Sequence, residues 1–573
     1  MPIDDLVSDA TGGLDTIQKD WMPATAIRPL LFDDPGLIWL DHFGEKNGFR
    51  PDSSPYEFLN FIGTKGRQFE DKWVRELAST AVPVCTQDFE VRSRERVIQT
   101  VEQLCGGTPV IAKPALWWAS ERIYGVPDLI VHTSWLADRF PQLVPAFENE
   151  SPAPHVTGGD RPGHYVVFDI KFTTGLDGPE KKLACANYAA QTRIYSFMLG
   201  QLQGLMPHHA YIVARDRLFD PMPIRITSAL DQPLDDDLAS LRDHFLQIKL
   251  AGSKYLPWRD SIVESNLSNK DEGWTTAKEL IATDKVPGRD PALLYQVSLS
   301  IKRELHSLGF SNLDSLLAID PVRVPLEKCK GLGPKRSKMM RAILEANRSG
   351  NPVRPNPAMV PQRRKHEFFV DFEYLTNLNV DFEGQWPTLA GREMIFMVGV
   401  GQNSPSGWIF IPFVAAAENQ EQEREMFLQF TDFLNQRTNG TATDPSETVL
   451  YHWTSAEVWQ SKRSSDRLGF AADHPLRVLP WCDLQKPFIE GPGALPKAWA
   501  YGLKEMAGAL GYISPELVVE WPEDLCDGLN AMVMGWQAYS QPEPVQSNEM
   551  ALLTRYLEVD CASLHAILKW LRA

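Results

Sequence analysis

The sequence predicts an α/β protein of several domains. Its 573 residues exceed what one hydrophobic core usually organises, so two to four domains are expected. Short apolar runs of strand length alternate with helical patterns near both ends of the chain, whereas the middle shows helical patterns alone. We therefore expect domains at 1–262 and 367–573, joined by a helical region at 263–350 and a stiff, proline-rich, basic linker at 351–366.

The composition is that of an ordinary globular protein. Hydrophobic residues make up 43% of the chain and aromatic residues 10%. The sequence contains no run of about 18 apolar residues, the length that a membrane-spanning helix needs. The acidic start lacks the apolar segment of a secretory signal, and the seven scattered cysteines fit reduced thiols, so a cytoplasmic location is expected. The net charge of −17 argues against a nucleic-acid-binding surface along the whole chain, and restricts such binding to local basic patches.

The apolar run from Tyr165 to Phe172 predicts a buried strand on which the N-terminal domain is organised. Side chains alternate faces along a strand, so Asp169 and Lys171 point the same way. A carboxylate beside an ammonium suits a Mg²⁺ site in which the lysine positions a water or steadies a phosphate. The alternative is a simple salt bridge on the strand.

Two more acids precede this strand. Glu70 lies at the edge of the apolar face of a predicted helix, where a solvated helix residue is the alternative. Asp128 lies in a second predicted strand, 124–131, directly before an apolar run. An acid there is costly unless it is paired or bound to metal, although a turn aspartate after Pro127 is the alternative.

A helix predicted at 179–202 follows the strand, and its Gln191 and Tyr195 share one face. This order of motifs resembles the RecB/Cas4-like branch of the PD-(D/E)XK nucleases over roughly residues 20–220. The motifs are Gly66…Glu70, Gly125-Val-Pro-Asp128, Asp169-Ile-Lys171 and Gln191-xxx-Tyr195.

The resemblance implies a restriction-endonuclease-like core that cleaves phosphodiester bonds. By this resemblance, Mg²⁺ or Mn²⁺ is bound by Glu70, Asp128 and Asp169, Lys171 assists the attacking water, and Gln191 and Tyr195 support the site or the DNA. Many relatives carry four cysteines for an iron–sulfur cluster. The cysteines of this chain do not match those positions, so we expect no cluster.

The middle region concentrates positive charge around a Gly-x-Gly turn. Residues 324–350 hold seven lysines and arginines against two glutamates, a local charge of +5. This segment resembles a helix-hairpin-helix module, which grips nucleic-acid backbone without reading sequence. The alternative is a structural hairpin with a solvated basic face. The resemblance implies that nucleic acid is bound by Gly331, Gly333, Lys335, Arg336 and Lys338.

The C-terminal domain shows three strands, then a helix, a strand, a helix and a strand, which predicts a mixed sheet with helices on both faces. Asp371 and Glu373 share one face of its first strand, where an acid pair is expensive without cations. Tyr556 and Asp560 share one face of a final helix predicted at 548–571.

These motifs resemble the RNase H-like DEDD exonucleases in their tyrosine form. The resemblance implies that two metals are bound by Asp371, Glu373, Glu457 and Asp560, and that Tyr556 orients the water. The middle motif departs from the family, because His452 and Glu457 stand where Asn-xxx-Asp is usual. A degenerate domain that binds nucleic acid or a partner is therefore the alternative.

Together these patterns favour a nuclease dependent on Mg²⁺ or Mn²⁺ that acts on DNA, as single strands or ends. DNA is preferred because both the first domain and the hairpin resemble DNA-handling units. Two other functions remain open: a nucleic-acid-binding adaptor that works with a separate helicase, and an RNA-processing exonuclease acting through the last domain. The chain has no G-x-x-x-x-G-K-[ST] loop of its own, and no membrane partner is expected.

Overall fold

The contacts of the chain divide it into two units. Unit 1 is formed chiefly by Met1–Arg50 and Ile62–Asn266, and unit 2 chiefly by Leu267–Asn379 and Gly391–Ala573. This computed structural model describes the chain except for 32, 53–57, 145–148, 158–160, 174–181, 216–223, 228–233, 262–263, 269–272, 381–392, 406 and 522–526. Within the described residues, every helix is too short or too polar to cross a membrane.

Unit 1 is built on two sheets. A mixed six-stranded sheet has the order β2-β3-β6-β7-β8-β9, and a smaller sheet has the order β1-β5-β4. The strands are β1 (Met22–Pro23), β2 (Val82–Pro83), β3 (Val110–Ala112), β4 (Leu116–Trp118), β5 (Ile123–Gly125), β6 (Leu129–His132), β7 (Tyr165–Ile170), β8 (His209–Val213) and β9 (Ile224–Thr227).

The predicted organising strand is confirmed as β7, which is buried along its whole length and pairs with β6 and β8. The single strand expected at 124–131 is wrong. Its two ends are β5 and β6, which belong to different sheets and are separated by Val126, Pro127 and Asp128. Proline has no N–H to donate to a ladder, so the chain changes sheets at this point.

The helices of this part of the chain flank these sheets. In α4, Phe69 and Trp73 are four residues apart and bury against Val166 and Phe168 of β7, which leaves Glu70 at the edge of the buried face. The helices are α1 (Ile3–Thr11), α2 (Ile27–Leu31), α3 (Pro35–Trp39), α4 (Phe58–Leu77), α5 (Arg94–Gly106), α6 (Thr133–Arg139), α7 (Pro154–Thr157), α8 (Lys182–Gln203), α9 (Leu234–Ala251) and α10 (Pro257–Asp260).

Unit 2 contains a mixed five-stranded sheet in the order β12-β11-β10-β13-β14. Alternation along β10 turns Phe369 toward one face, where its ring lies 5.1 Å from that of His565. Phe368 turns to the other face, 6.4 Å from Phe433. Helices therefore cover both faces, as the sequence predicted. The strands are β10 (His366–Leu375), β11 (Met394–Ser404), β12 (Gly407–Val414), β13 (Thr448–His452) and β14 (Trp481–Asp483).

From β10 to β14 the predicted order of three strands, a helix, a strand, a helix and a strand is confirmed, with one added short helix at Pro475–Val478; the three helices that the structure describes between β14 and the final helix were not predicted. Within the predicted helical region, the second helix begins at Leu299, after a short turn at Pro291–Leu293. The helices are α11 (Thr275–Leu280), α12 (Leu299–Ser307), α13 (Leu313–Leu317), α14 (Pro334–Ser349), α15 (Gln420–Arg437), α16 (Ala456–Arg467), α17 (Pro475–Val478), α18 (Lys486–Glu490), α19 (Leu503–Ile513), α20 (Gly528–Tyr539) and α21 (Asn548–Arg572).

The long final helix lies directly on the backbone of β11. A methyl group built on Gly399 would come within 2.6 Å of Leu557 Cγ, and one on Gly401 within 3.2 Å of Cys561 Cβ. Only residues without a side chain allow this approach. The contact places the middle of α21 close above the centre of the sheet.

The middle helices share a hydrophobic core with the C-terminal sheet. Met339 and Ile343 of α14 bury together with Phe488, Tyr501 and other apolar residues of the C-terminal part. Asn347 Nδ2 donates to the carbonyl of Ala498 at 2.9 Å. The helical region and the last domain therefore form one unit.

The proline-rich segment at 351–366 is held against the same unit. Val353 and Ala494 exchange two backbone hydrogen bonds of 2.9 Å, and Asn356 N donates to the carbonyl of Gly491 at 2.8 Å. The guanidinium of Arg354 lies 4.1 Å from the ring of Trp570. These contacts hold the segment against the rest of unit 2. The predicted domain bounds stay predictions.

Candidate active sites

In unit 1, Asp128 and Asp169 lie side by side on neighbouring strands. Residue 129 faces residue 168 in the antiparallel β6–β7 pair, which brings the residues before and after them together. Ile170 N donates to Asp128 Oδ2 at 2.6 Å, and the two carboxyl groups are close enough to share a hydrogen bond. Asp169 is only 1% exposed.

Two ammonium groups lie among these acids. Lys171 Nζ is 2.8 Å from Asp169 Oδ2, in the salt bridge that was the alternative for this strand. Lys113 Nζ is 2.6 Å from Glu70 Oε1 and 2.8 Å from Asp128 Oδ1. The sequence reasoning missed Lys113, which directly follows β3. The one available signal was its position at the end of the apolar run Val110–Ala112.

The charges set the protonation of the site. Burial, together with the neighbouring Asp128, raises the pKa of Asp169 to about 7 although Lys171 opposes the shift. Burial alone would raise the pKa of Asp128 as well, but Lys171 and Lys113 outweigh burial and hold that pKa below its ordinary value. Burial and Asp128 raise the pKa of Glu70, against the effect of Lys113. Each lysine has a raised pKa and stays charged.

The helix α8 carries the predicted Gln191 and Tyr195, which contact one another. Gln191 Nε2 donates to the Tyr195 hydroxyl at 2.9 Å, and Tyr195 is 2% exposed beside Gly125. A residue not predicted, Tyr188, links this helix to the acids, because its ring centre lies 5.7 Å from Lys171 Nζ.

In unit 2, Asp371, Glu373 and Asp560 converge from two elements. The strand β10 places Asp371 and Glu373 on one face, and α21 brings Asp560 over that face. One carboxylate oxygen from each of the three lies within 4.8 Å of the others. Among the residues that the structure describes, this is the one group of three or more possible metal ligands with that spacing.

Glu457, predicted as the substitute for the missing aspartate, joins this group from the first turn of α16. It shares a hydrogen bond with Asp371. Burial raises the pKa of Glu457 to about 7. His452 Nδ1 lies 3.1 Å from Glu457 Oε2, and burial lowers the pKa of His452 to about 4. The imidazole is therefore neutral near pH 7, and the contact is a hydrogen bond rather than an ion pair.

The electrostatics of this site differ from those of unit 1. Burial, and after it repulsion among the acids, raises the pKa of Asp371, Glu373 and Asp560 well above ordinary values. Three buried carboxyl groups and the partly exposed Asp371 are a strongly unbalanced set, and Lys504 is the one cation that lowers the pKa of Glu373 and Asp560 among their main neighbours. Such an excess of hard oxygen donors fits a divalent cation.

Three side chains complete the surroundings of the acids. Tyr556 lies one turn before Asp560, and burial raises its pKa, so the phenol is neutral. Trp521 Nε1 donates to Asp560 Oδ1 at 2.8 Å. Lys504 Nζ lies 4.5 Å from the ring centre of Tyr556. The sequence reasoning found Tyr556 but missed Trp521 and Lys504, which belong to no recognisable motif.

The predicted nucleic-acid-binding turn precedes α14. Gly331 has a φ of +82°, and Gly333 is the residue before the first turn of the helix. Lys335 and Lys338 are exposed. Arg336 is half-buried and its Nη2 donates to the carbonyl of Gly331 at 2.6 Å, so its guanidinium supports the turn.

Residues 380–572, about a third of the chain, match the family model of the RNase_H superfamily. The match includes Glu457, Tyr556 and Asp560, while β10 with Asp371 and Glu373 lies just before it. No curated protein matches the sequence. The C-terminal part of the chain is therefore RNase H-like, which supports a nuclease-type hydrolase. The matched residues leave out nearly all of unit 1, so its resemblance to the PD-(D/E)XK nucleases stays a prediction.

Proposed function

We propose that this protein is a divalent-metal-dependent nuclease whose principal active site is the acid cluster of unit 2. The observation that carries the proposal is the convergence of Asp371, Glu373 and Asp560 to within 4.8 Å. Their raised pKa values add support, because they mark a site short of positive charge. The RNase H-like match covers β11 to β14 and the helices from α15 to α21, including Glu457 and Asp560, and begins just after β10.

The acid cluster would hold Mg²⁺ or Mn²⁺ through Asp371, Glu373 and Asp560, with Glu457 beside them. A divalent cation bound there neutralises phosphate charge and makes a water a better nucleophile. The chain supplies the rest. The neutral phenol of Tyr556 can hold the water by a hydrogen bond, and the Trp521 indole keeps Asp560 in one orientation.

The substrate that we propose is DNA, as single strands or ends. The support is the exposed positive charge at Lys335 and Lys338, beside a helix N-terminus that can contact a phosphate. This charge stands out in a chain of net charge −17. RNA is the second substrate class, because phosphate contacts do not distinguish the two. A helicase partner is part of the adaptor alternative.

We further propose that unit 1 is a second nucleic-acid-cleaving site that uses Glu70, Asp128, Asp169 and Lys171. The support is the adjacency of Asp128 and Asp169 on β6 and β7, with Lys171 on the same face. As the side chains stand, the three carboxylates do not form a metal-binding group of the kind found in unit 2 among the described residues.

The decisive experiment compares cleavage of end-labelled single-stranded DNA and RNA in Mg²⁺ and in Mn²⁺. The variants are Asp371→Asn, Lys171→Ala and their double, with Glu421→Gln as an exposed acidic control in unit 2. We expect Asp371→Asn to lose at least about 100-fold in rate, because one metal ligand is gone. Residual cleavage that Lys171→Ala removes would assign a second activity to unit 1.

Two outcomes would overturn the assignment. Full activity in Asp371→Asn would move the principal site to unit 1. Binding of the oligonucleotide without cleavage under all four conditions would favour the adaptor.

A further inference from the structure

Lys113 bridges the two acids that come from different elements of unit 1. Its ammonium lies 2.6 Å from the Glu70 carboxylate of α4 and 2.8 Å from the Asp128 carboxylate beside β6. Both distances are those of charge-assisted hydrogen bonds. The ammonium thus occupies the space between two carboxylates that a cation shared by the helix and the sheet would need.

The backbone holds Lys113 firmly in this place. Its φ is +49°, a left-handed conformation that is unfavourable for a residue other than glycine. Its N–H donates to the carbonyl of Asp128 at 2.9 Å, so the main chain and the side chain of Lys113 both contact Asp128. An exposed lysine that merely happened to lie nearby would not need such a conformation.

The charge balance leaves little attraction for a second cation. Glu70, Asp128 and Asp169 carry three negative charges when ionised, and Lys113 and Lys171 carry two positive charges, which leaves −1. Without Lys113 the same site would carry −2, the balance of an ordinary divalent-cation site. Unit 2 shows the contrasting case, with four carboxyl groups and Lys504 as the cation named above.

We propose that Lys113 is the resident counter-ion of the unit 1 site, and that a divalent cation binds there only by displacing its ammonium. Lys113 is then a positioning residue that sets the metal affinity of the site. The inference rests on the proposed second site in unit 1, because it describes how that site takes its metal.

Mn²⁺ binding tests the proposal without a cleavage assay. The full chain carries Asp371→Asn and Asp560→Asn, so that the unit 2 cluster contributes no tight site, and electron paramagnetic resonance counts free Mn²⁺. In this background we compare Lys113→Met with the unchanged lysine. The control is Lys72→Met, which removes a lysine of the same unit that pairs with Glu76 at 3.1 Å.

We expect Lys113→Met to bind Mn²⁺ at least about tenfold more tightly, because the ion no longer has to displace an ammonium that two carboxylates hold. Lys72→Met should bind like the parent, and Asp169→Asn added to Lys113→Met should abolish the gain. Lys113→Arg keeps the charge and should stay weak. If the Lys113→Met variant does not fold, Lys113→Gln replaces it. The Tm of Lys113→Gln should then rise more on addition of Mn²⁺ than the Tm of the parent does.

Equal or weaker Mn²⁺ affinity in Lys113→Met would overturn the counter-ion role while leaving the proposed metal site in place. No Mn²⁺ binding in any of these variants would overturn both the counter-ion role and the proposed metal site of unit 1.

Discussion

The buried Glu457 makes the unit 2 site a source of instability when no metal is bound. Its ordinary pKa of 4.5 rises to about 7, chiefly through burial. The folded protein therefore binds this proton more tightly than the unfolded chain does. Stability is lost as pH rises from about 4.5 to about 7, and the loss is complete above that range. At about 1.36 kcal/mol for each pKa unit, the loss is about 3 kcal/mol at pH 8 and less than about 1 kcal/mol at pH 5.

Glu457→Gln removes the charge and keeps the shape, and its amide can still donate to Asp371. In EDTA we expect the variant to be more stable than the wild type by about 3 kcal/mol at pH 8, with little gain at pH 5. Urea unfolding, followed by hydrogen exchange in peptides from β10 and α21, measures the effect in unit 2. The exposed Glu421→Gln is the control.

Two results would refute this reasoning. One is a Glu457→Gln variant no more stable than the wild type at pH 8, which would mean that the buried carboxyl group is not charged there or is already neutralised. The other is an equal gain at both pH values, which would point to packing rather than charge. Saturating Mn²⁺ should reduce the difference between variant and wild type, because the cation neutralises the carboxylate that glutamine replaces.

Two other predictions concern the acid cluster of unit 2 and the basic turn before α14. Trp521→Phe removes the 2.8 Å hydrogen bond to Asp560 and should weaken Mn²⁺ binding by about tenfold. Calorimetry measures this affinity in a chain whose unit 1 site is blocked by Asp169→Asn. Unchanged affinity would show that the indole does not hold the Asp560 carboxylate in place. Lys335→Glu with Lys338→Glu should weaken oligonucleotide binding and lower the slope of log K against log salt by about 2, whereas Lys462→Glu, an exposed lysine on α16, should leave that slope unchanged if the turn is the binding surface.

Local patterns predicted those parts of the fold whose causes are local. The alternation around Phe368, Phe369 and Asp371 predicted the strand and the sharing of one of its faces by Asp371 and Glu373. The apolar run at Tyr165 predicted β7. The change of sheet at Pro127 was missed because an apolar run does not say which neighbour it pairs with, and only a partner strand decides that.

The missed site residues have their causes in tertiary packing. Lys113 and Trp521 contact Asp128 and Asp560, which are 15 and 39 positions away along the chain. Lys504 acts electrostatically on Glu373, which is far earlier in the chain. No short spacing rule connects such pairs. Likewise, the basic residues of the middle region marked its exposed side, but the apolar partners of Met339 and Ile343 lie in the C-terminal part, which a local pattern cannot name.

The bare backbone of β11 beneath α21 has a consequence for the acids that neither element could have alone. Asp371 lies on the sheet and Asp560 on the helix. The distance between their carboxylates therefore depends on how closely α21 approaches the sheet. At Gly399 the helix approaches so closely that only the hydrogen atom of the glycine fits between the β11 backbone and the side chain of Leu557. A methyl group at this position would push α21 away from the sheet and increase the distance between the Asp371 and Asp560 carboxylates, although it would contact neither of them. The size of ion that the site accepts thus depends partly on Gly399, a residue that supplies no ligand.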